Sequence, residues 1–315
     1  MRFRLPHGIL LFAIIATVSY WRHDPRILEQ WTSALTEPSR TTRSSPRYEQ
    51  RTSPQINQQA SRGSDAKPES SDEAPPEDTA DETLCSAQLM NGDGPVISQS
   101  MRRKTTLLCY EGYVALYSAL SRTPVWSAEK LTPARVEAAH EIERVNPFHP
   151  DPNLPVGDRS ELNDYTRSGW DRGHMSPNGD MSTVDAQFSS FSLGNMVPQF
   201  PENNRVIWAH IEEAVRKWTR STETVYVVTG PVFSGDHLQS LRGRVLIPTH
   251  IFKAVWDPVK HKGGVFITFN IAGEEMLEQS FSEFTAWSGL DPFPDLTPAE
   301  KAQAPALPAV RSHQG

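Results

Sequence analysis

The sequence predicts a mixed α/β (α+β) domain over residues 85–295. Three observations support this fold class: short runs rich in β-branched and aromatic residues, stretches with apolar residues at helical spacing, and a long polar loop at 147–163. Strands with interspersed helices and long loops make a mixed α/β domain.

The strands are predicted first, from β-branched and aromatic runs at 125–129, 224–229, 245–256 and 264–270. Residues 107–120 are also apolar, but their pattern leaves strand and helix open.

Two segments are predicted helices. In residues 203–219 the apolar side chains recur at helical spacing, and residues 281–288 form a later helix that Gly289 ends. The periodic positions of the first helix are Ile207, Ile211, Ala214, Val215 and Trp218.

The two ends of the chain differ from the domain. An apolar run at residues 8–21 follows Arg2 and Arg4, and it is shorter than the about 20 residues of a membrane span. Residues 1–25 are therefore predicted to be a signal peptide, with a short uncleaved membrane anchor as the alternative. In both cases the rest of the chain is expected to be exported, as a periplasmic or secreted protein. Cell fractionation would distinguish the two.

Composition predicts disorder on both sides of the domain. Residues 36–83 contain Ser, Pro, Thr and acidic residues with almost no large apolar side chain, which predicts a disordered linker. The tail at 299–315, rich in Ala and Pro, is predicted to be disordered as well.

The net charge of −7 owes much to the linker, since residues 63–83 hold eight acidic residues against one lysine. A mildly acidic domain argues against tight coating of nucleic acid but not against a local basic groove.

In an exported chain the two cysteines, Cys85 and Cys109, are expected to form a disulfide, and two buried free thiols are the alternative.

Chemistry-bearing residues concentrate in two clusters. The first is Trp-Asp-Arg-Gly-His-Met-Ser-Pro at 170–177, in which a glycine and a proline-containing turn would hold one imidazole in a fixed orientation. The second runs from Asn-Met-Val-Pro-Gln at 195–199 into the predicted helix. There Asn204, Trp208, Glu212 and Arg216 recur every four residues and are expected to share roughly one face.

The ordered set Asp-Arg-Gly-His, Asn-Met-x-Pro-Gln and Asn-x-x-x-Trp-x-x-x-Glu resembles the signature of the DNA/RNA non-specific endonucleases of the Serratia nuclease type. The resemblance covers residues 85–295 and implies a His-Me finger (ββα-metal) domain, with a central antiparallel sheet and flanking helices. It also implies hydrolysis of phosphodiester bonds in DNA and RNA without sequence specificity.

The resemblance assigns roles residue by residue. His174 matches the general base, Asn204 the protein ligand to magnesium, and Glu212 the acid that positions metal-bound water. Arg144 matches the arginine at the scissile phosphate. Arg172 and Arg216 match further phosphate-side positions. Asn195 resembles a structural asparagine of the site and is grouped with them as substrate-binding. Asn203 is the alternative metal ligand, but the spacing to Trp208 favours Asn204.

These residue types also suit phosphodiester hydrolysis on chemical grounds. A neutral imidazole takes a proton from water at neutral pH, and an arginine offers paired donors to phosphate oxygens. A single amide ligand leaves a hard cation most of its own water, as Mg²⁺ prefers, and Mn²⁺ is the alternative ion.

A second function from another class stays open: a catalytically inactive nucleic-acid-binding or DNA-uptake protein on the same fold. Asp171 is expected to be a structural hydrogen-bond or ion-pair partner rather than a metal ligand. Internal pairing of Arg172 with an acid is the alternative to its role at the phosphate. DNA and RNA are the expected substrates, membrane contact is expected only through residues 1–25, and no protein partner is inferred.

Overall fold

The computed structural model describes residues 84–311. The signal peptide or anchor predicted over residues 1–25 and the disordered linker predicted over 36–83 lie outside the described residues. Within the described part, every helix is too short or too polar to cross a bilayer.

A seven-stranded antiparallel sheet forms the centre of the described region. The strands are β1 Val96–Ile97, β2 Thr105–Cys109, β3 Val114–Ser118, β4 Thr123–Leu131, β5 Asp171–His174, β6 Met196–Gln199, β7 Val225–Val232, β8 Ser240–Leu241, β9 Val245–Leu246, β10 His250–Asp257, β11 Lys262–Phe269, β12 Met276–Gln279 and β13 Leu290–Asp291. The order within the central sheet is β12-β11-β10-β7-β4-β3-β2. The ambiguous segment 107–120 thus belongs to two paired strands, β2 and β3.

Helices flank this sheet, which confirms the predicted mixed α/β class with a central antiparallel sheet. The helices are α1 Pro133–His140, α2 Leu162–Tyr165, α3 Val184–Ser190, α4 (Pro201–Asn203, a π turn at Asn204–Trp208, and Ala209–Thr219), α5 Phe281–Ser288 and α6 Pro298–Lys301. Helix α5 ends at Gly289, whose φ of 73° is the left-handed conformation that favours glycine at a helix C-terminus.

The sheet is buried on both faces. Side chains alternate along β10, so Phe252 and Trp256 pack into one apolar cluster while Ile251 and Val255 pack into the other. The second cluster also contains the buried face of α4, which includes Ile211. Helix α4 is thereby fixed against one face of the sheet. The predicted strand at 245–256 is divided into β9 and β10 by residues 247–249, which include a proline.

Cys85 and Cys109 are disulfide-bonded, with their Cα atoms 5.1 Å apart, which confirms the expected pairing. The bond ties the start of the described region to β2. On the chain-entropy model a loop of this length stabilises the fold by about 3 kcal/mol.

The C-terminal tail packs against the domain, contrary to the disorder that its composition predicts. Residues 299–315 were expected to be disordered, yet the part that the structure describes, up to residue 311, lies against the domain. Leu307 and Val310 pack on the cluster beneath α4, and the amide of Ala306 donates a hydrogen bond to Gly263 O at 2.9 Å. Two separated apolar side chains are enough to anchor an extended segment, although they leave no periodic pattern in the sequence.

Deletion of residues 302–315 is therefore expected to lower the free energy of unfolding by about 1–3 kcal/mol, because it uncovers the apolar surface beneath Leu307 and Val310. Urea unfolding followed by circular dichroism measures this. The matched control removes only residues 311–315 and keeps both side chains. Equal stability of the two truncated proteins would show that the packed tail contributes nothing.

Candidate active site

Strands β5 and β6 form a two-stranded antiparallel ribbon that leads into α4, the ββα arrangement that the resemblance implies. His174 pairs with Met196 and Gly173 with Val197 across the ribbon. A Cβ atom at Gly173 would lie 2.6 Å from Cβ of Gln199, so the ribbon requires glycine immediately before the histidine.

The ribbon and α4 border a cleft with a volume of about 640 Å³. Five of the seven sequence-predicted site residues line it: Arg144, Arg172, His174, Asn204 and Glu212. The other two, Asn195 and Arg216, are not part of its wall.

His174 presents an uncharged imidazole to this cleft. Its ring packs edge-on against Phe191, with centroids 4.8 Å apart, and at 5.8 Å from Phe148. Burial, followed by the positive charges of Arg144 and Arg172, lowers the pKa of His174 to about 3. Among the described residues no side chain or backbone group hydrogen-bonds to its Nε2 atom. The ring is fixed in orientation, neutral at physiological pH, and able to accept a proton.

The Asn195 side chain is buried and forms its hydrogen bonds within the protein, which fits a structural asparagine better than a substrate-binding one. Oδ1 accepts a hydrogen bond from Ser176 N at 3.0 Å, and Nδ2 donates to Ser176 O at 2.8 Å and Ser190 O at 3.0 Å. It therefore holds the turn that follows His174, and its side chain is not part of the cleft wall. A sequence motif shows that an asparagine occurs near the site but not which way its amide faces.

The two adjacent asparagines of α4 have different environments. Asn203 is fully buried, accepts from Gln199 Nε2 at 2.8 Å and donates to Phe269 O at 2.9 Å. Asn204 lines the cleft, and its Nδ2 donates to Asp171 Oδ2 at 3.0 Å, which leaves its Oδ1 oxygen for another ligand. Asn204 is thus the one of the pair that faces the site.

The π turn explains how Asn204 and Glu212 come to line the same cleft. Residues eight apart on a straight α-helix are offset by about 80°. One π turn holds an additional residue and reduces that offset, and such turns are common at functional sites. Trp208 was predicted to share this face, but it is 1% exposed and packs in the core.

Glu212 is partly buried, and this burial raises the pKa of its carboxyl group, while the Arg216 charge opposes the shift. Arg216 was expected on the phosphate side of the site, but its Nη1 atom lies 3.0 Å from Oδ1 of the buried Asp180. Arg216 is held by Asp180 and is not part of the cleft wall, although its charge acts on the Glu212 carboxyl group. Neither the Asp180 contact nor its burial is visible in the helical spacing.

The phosphate-side arginines stack on aromatic rings. The Arg172 guanidinium lies 4.0 Å from the ring centroid of Phe148, and that of Arg144 lies 5.6 Å from Phe191. Within the described region Arg172 forms no ion pair with an acidic side chain. Asp171 behaves as the predicted ion-pair partner, since its carboxylate binds Arg205 through two hydrogen bonds of 2.7 and 2.8 Å.

The cleft is locally basic although the chain as a whole is acidic. Its wall contains four arginines and two carboxylates, which are Arg144, Arg167, Arg172, Arg205, Asp171 and Glu212. This local excess of positive charge suits a polyanion. Arg205 and Arg167 were missed in the sequence because no periodic pattern separates them from ordinary surface residues.

Proteins named as nucleases match part of this chain. Nuclease C1 of Cunninghamella echinulata var. echinulata is 37% identical over 177 residues, which cover 51% of this chain and 70% of that protein. The mitochondrial nuclease EXOG of Homo sapiens is 32% identical over 162 residues, 48% of this chain and 44% of EXOG. The chain therefore spans less than half the length of that second relative.

A solved structure shares the fold. A chain of the crystal structure of the EndoG/EndoGI complex superposes with a TM-score of 0.56 at 25% identity, covering 64% of this chain and 92% of that one. The family model for DNA/RNA non-specific endonucleases matches residues 94–289, which contain every residue of the cleft wall. This chain belongs to the DNA/RNA non-specific endonuclease family.

Proposed function

We propose that the chain is a metal-dependent endonuclease that hydrolyses phosphodiester bonds in both DNA and RNA, with His174 as the general base. The observation that carries the proposal is a neutral, oriented imidazole in a cleft whose wall is rich in arginine. In this reaction His174 takes a proton from water and the resulting hydroxide attacks phosphorus. The P–O bond to the leaving nucleotide oxygen breaks, and that oxygen takes up a proton from water. Arg144 neutralises charge on the phosphate oxygens.

The donor set fits a hard cation such as Mg²⁺ or Mn²⁺. Asn204 Oδ1 is uncommitted within the described structure, and the Glu212 carboxylate lines the same cleft. Among residues 84–311 no group of three or more His, Cys, Asp or Glu residues is placed to hold a metal ion. Asn204 would hold the cation with Glu212 nearby, and the bound cation would supply positive charge at the phosphate and leaving oxygen.

A closed circle of single-stranded DNA or RNA provides the test, because it has no ends for an exonuclease. Both circles are expected to be opened in Mg²⁺, and neither in excess EDTA, while circular dichroism stays unchanged because the fold does not depend on a metal cage. Opening that persists after exhaustive chelation would contradict the metal requirement. Retention of the circle on the protein without cleavage would instead favour the inactive binding protein.

The pH dependence of the reaction reports on the electrostatics of His174. Because burial and two guanidinium groups lower the pKa of His174, the acidic limb of kcat/KM is expected below the ordinary histidine value of about 6.5. Replacing Arg144 by glutamine removes one repelling charge, so the pKa should rise and the limb should move to higher pH. A limb that stays in place or moves to lower pH in Arg144→Gln would contradict the assignment of His174 as the base.

We also propose that the domain is exported, which the Cys85–Cys109 disulfide supports, since such bonds persist in oxidising compartments.

A further inference from the structure

Strand β10 carries a lysine in the middle of the apolar core. Lys253 is 1% exposed and lies on the same face of the strand as Ile251 and Val255, the face that packs against α4. Within residues 84–311 it forms no ion pair with an acidic side chain. Fully buried lysines are rare unless they are paired, because taking an ammonium group out of water is costly. This charge is therefore expected to have a role other than packing.

The ammonium group of Lys253 connects the central sheet with α4. Its Nζ atom donates a hydrogen bond to Thr229 Oγ1 on strand β7 at 2.7 Å, and it lies 5.4 Å from the ring centroid of Trp208. A cation at this distance from an indole ring is attracted to it, most strongly where water is excluded. The buried charge of Lys253 thus holds the Trp208 ring.

The Trp208 ring has no hydrogen bond to fix its position. Within the described part of the chain its indole Nε1 atom has no hydrogen-bond partner. Its apolar neighbours include Ile207 and Ile211, from the same helix. Apolar packing is non-directional, so it does not by itself select one orientation of the ring. The contact with Lys253 supplies that selection.

The position of this ring matters because Trp208 ends the π turn that begins at Asn204. Both Asn204 and Glu212 line the cleft, and the additional residue of the π turn reduces the angular offset between them. The charge of Lys253 also acts on one of these two side chains. Burial raises the pKa of Glu212, and the charges of Arg216 and Lys253 oppose that shift.

We propose that Lys253 is a positioning residue for the reaction: it holds Trp208, and with it the π turn of α4, so that Asn204 and Glu212 line one cleft. This inference rests on the proposed function and extends it to a residue of the core. Lys253 is not part of the cleft wall. Loss of its charge should therefore change the rate and the metal affinity but not the KM for nucleic acid.

The first test measures amide hydrogen exchange of the metal-free protein in Lys253→Met, which keeps the length of the side chain and removes its charge. Lys130→Met is the matched control, because that ammonium group also lies near an aromatic ring, 5.8 Å from the centroid of Tyr226, which belongs to β7 and not to α4. Exchange over residues 204–212 should be several-fold faster in Lys253→Met only. Unchanged exchange there, or an equal increase in Lys130→Met, would overturn the proposal.

The second test is a double-mutant cycle that combines Lys253→Met with Trp208→Phe, whose ring attracts a cation more weakly than indole does. Each single variant is expected to weaken Mn²⁺ binding several-fold in calorimetric titration. Each should also lower kcat for DNA about 10-fold and leave KM nearly unchanged. The double variant should lose no more than the more affected single variant, because both changes remove one contact. Losses that multiply would overturn the proposal, as would normal Mn²⁺ affinity in folded Trp208→Phe.

Thermal unfolding separates positioning from a loss of stability. Replacing a buried charge by an apolar side chain of similar volume is often neutral or stabilising, so Lys253→Met should stay folded while its rate falls. A rate that falls only at temperatures at which Lys253→Met unfolds would show a merely structural role and overturn the proposal. A normal rate in Lys253→Met removes only this inference, whereas absence of DNA hydrolysis by the unmodified protein removes the proposed function.

Discussion

Replacement of His174 by alanine is expected to lower kcat/KM for DNA and RNA hydrolysis by about 10²–10⁴-fold, the contribution typical of a general base. The imidazole lines the cleft, and the residue is only partly buried, so its removal should leave the core intact. Initial rates on a fluorescent oligonucleotide measure the effect, and thermal unfolding by circular dichroism confirms that the variant is folded.

The matched control is His140→Ala, since that side chain is 74% exposed and lies outside the cleft wall. Its activity should equal that of the unmodified protein. If the folded His174→Ala protein turned over at a near-normal rate, the base would have to be another group.

The second large effect is expected from alanine substitutions at the two adjacent asparagines of α4. One substitution should lower activity and the other should lower stability. Asn204→Ala is expected to lower the rate about 10²-fold or more at the Mg²⁺ concentration that saturates the unmodified protein, with partial recovery as Mg²⁺ is raised. Loss of outer-shell partners alone weakens metal sites 10- to 100-fold, so loss of the only proposed protein ligand should have at least that effect.

Asn203→Ala should instead lower the melting temperature. It leaves Gln199 Nε2 and Phe269 O without their buried partner, and each such loss destabilises by about 1–3 kcal/mol. Titration of the rate against Mg²⁺ and thermal unfolding of both variants check the pair. A raised Mg²⁺ requirement in Asn203→Ala, with a normal one in Asn204→Ala, would reverse the assignment of the ligand.

The elements with a strong local pattern were predictable from the sequence. Strand β10 alternates because each of its faces meets a different apolar cluster, and the end of α5 is set by Gly289 itself. The spacing to Trp208 favoured Asn204 over Asn203, and Asn204 is the one of the two that lines the cleft, whereas Asn203 is buried. In each case the physical cause lies within a few residues of its sequence signal.

Features that depend on contacts between distant segments were not predictable. Arg216 has the helical spacing of a cleft residue, but its partner, Asp180, comes from a turn 36 residues earlier. The tail beyond residue 301 lacks a pattern because only Leu307 and Val310 anchor it. Burial and pairing of this kind are properties of the folded molecule.

We propose that the protein hydrolyses phosphodiester bonds inside nucleic-acid chains in the cleft around His174 and needs a divalent metal ion to do so. The most direct measurement incubates closed DNA and RNA circles with the unmodified protein, His174→Ala and His140→Ala, each in Mg²⁺ and in EDTA. Only the unmodified protein and His140→Ala are expected to linearise the circles, and only in Mg²⁺. Intact circles in every reaction, or equal cleavage by folded His174→Ala, would contradict it.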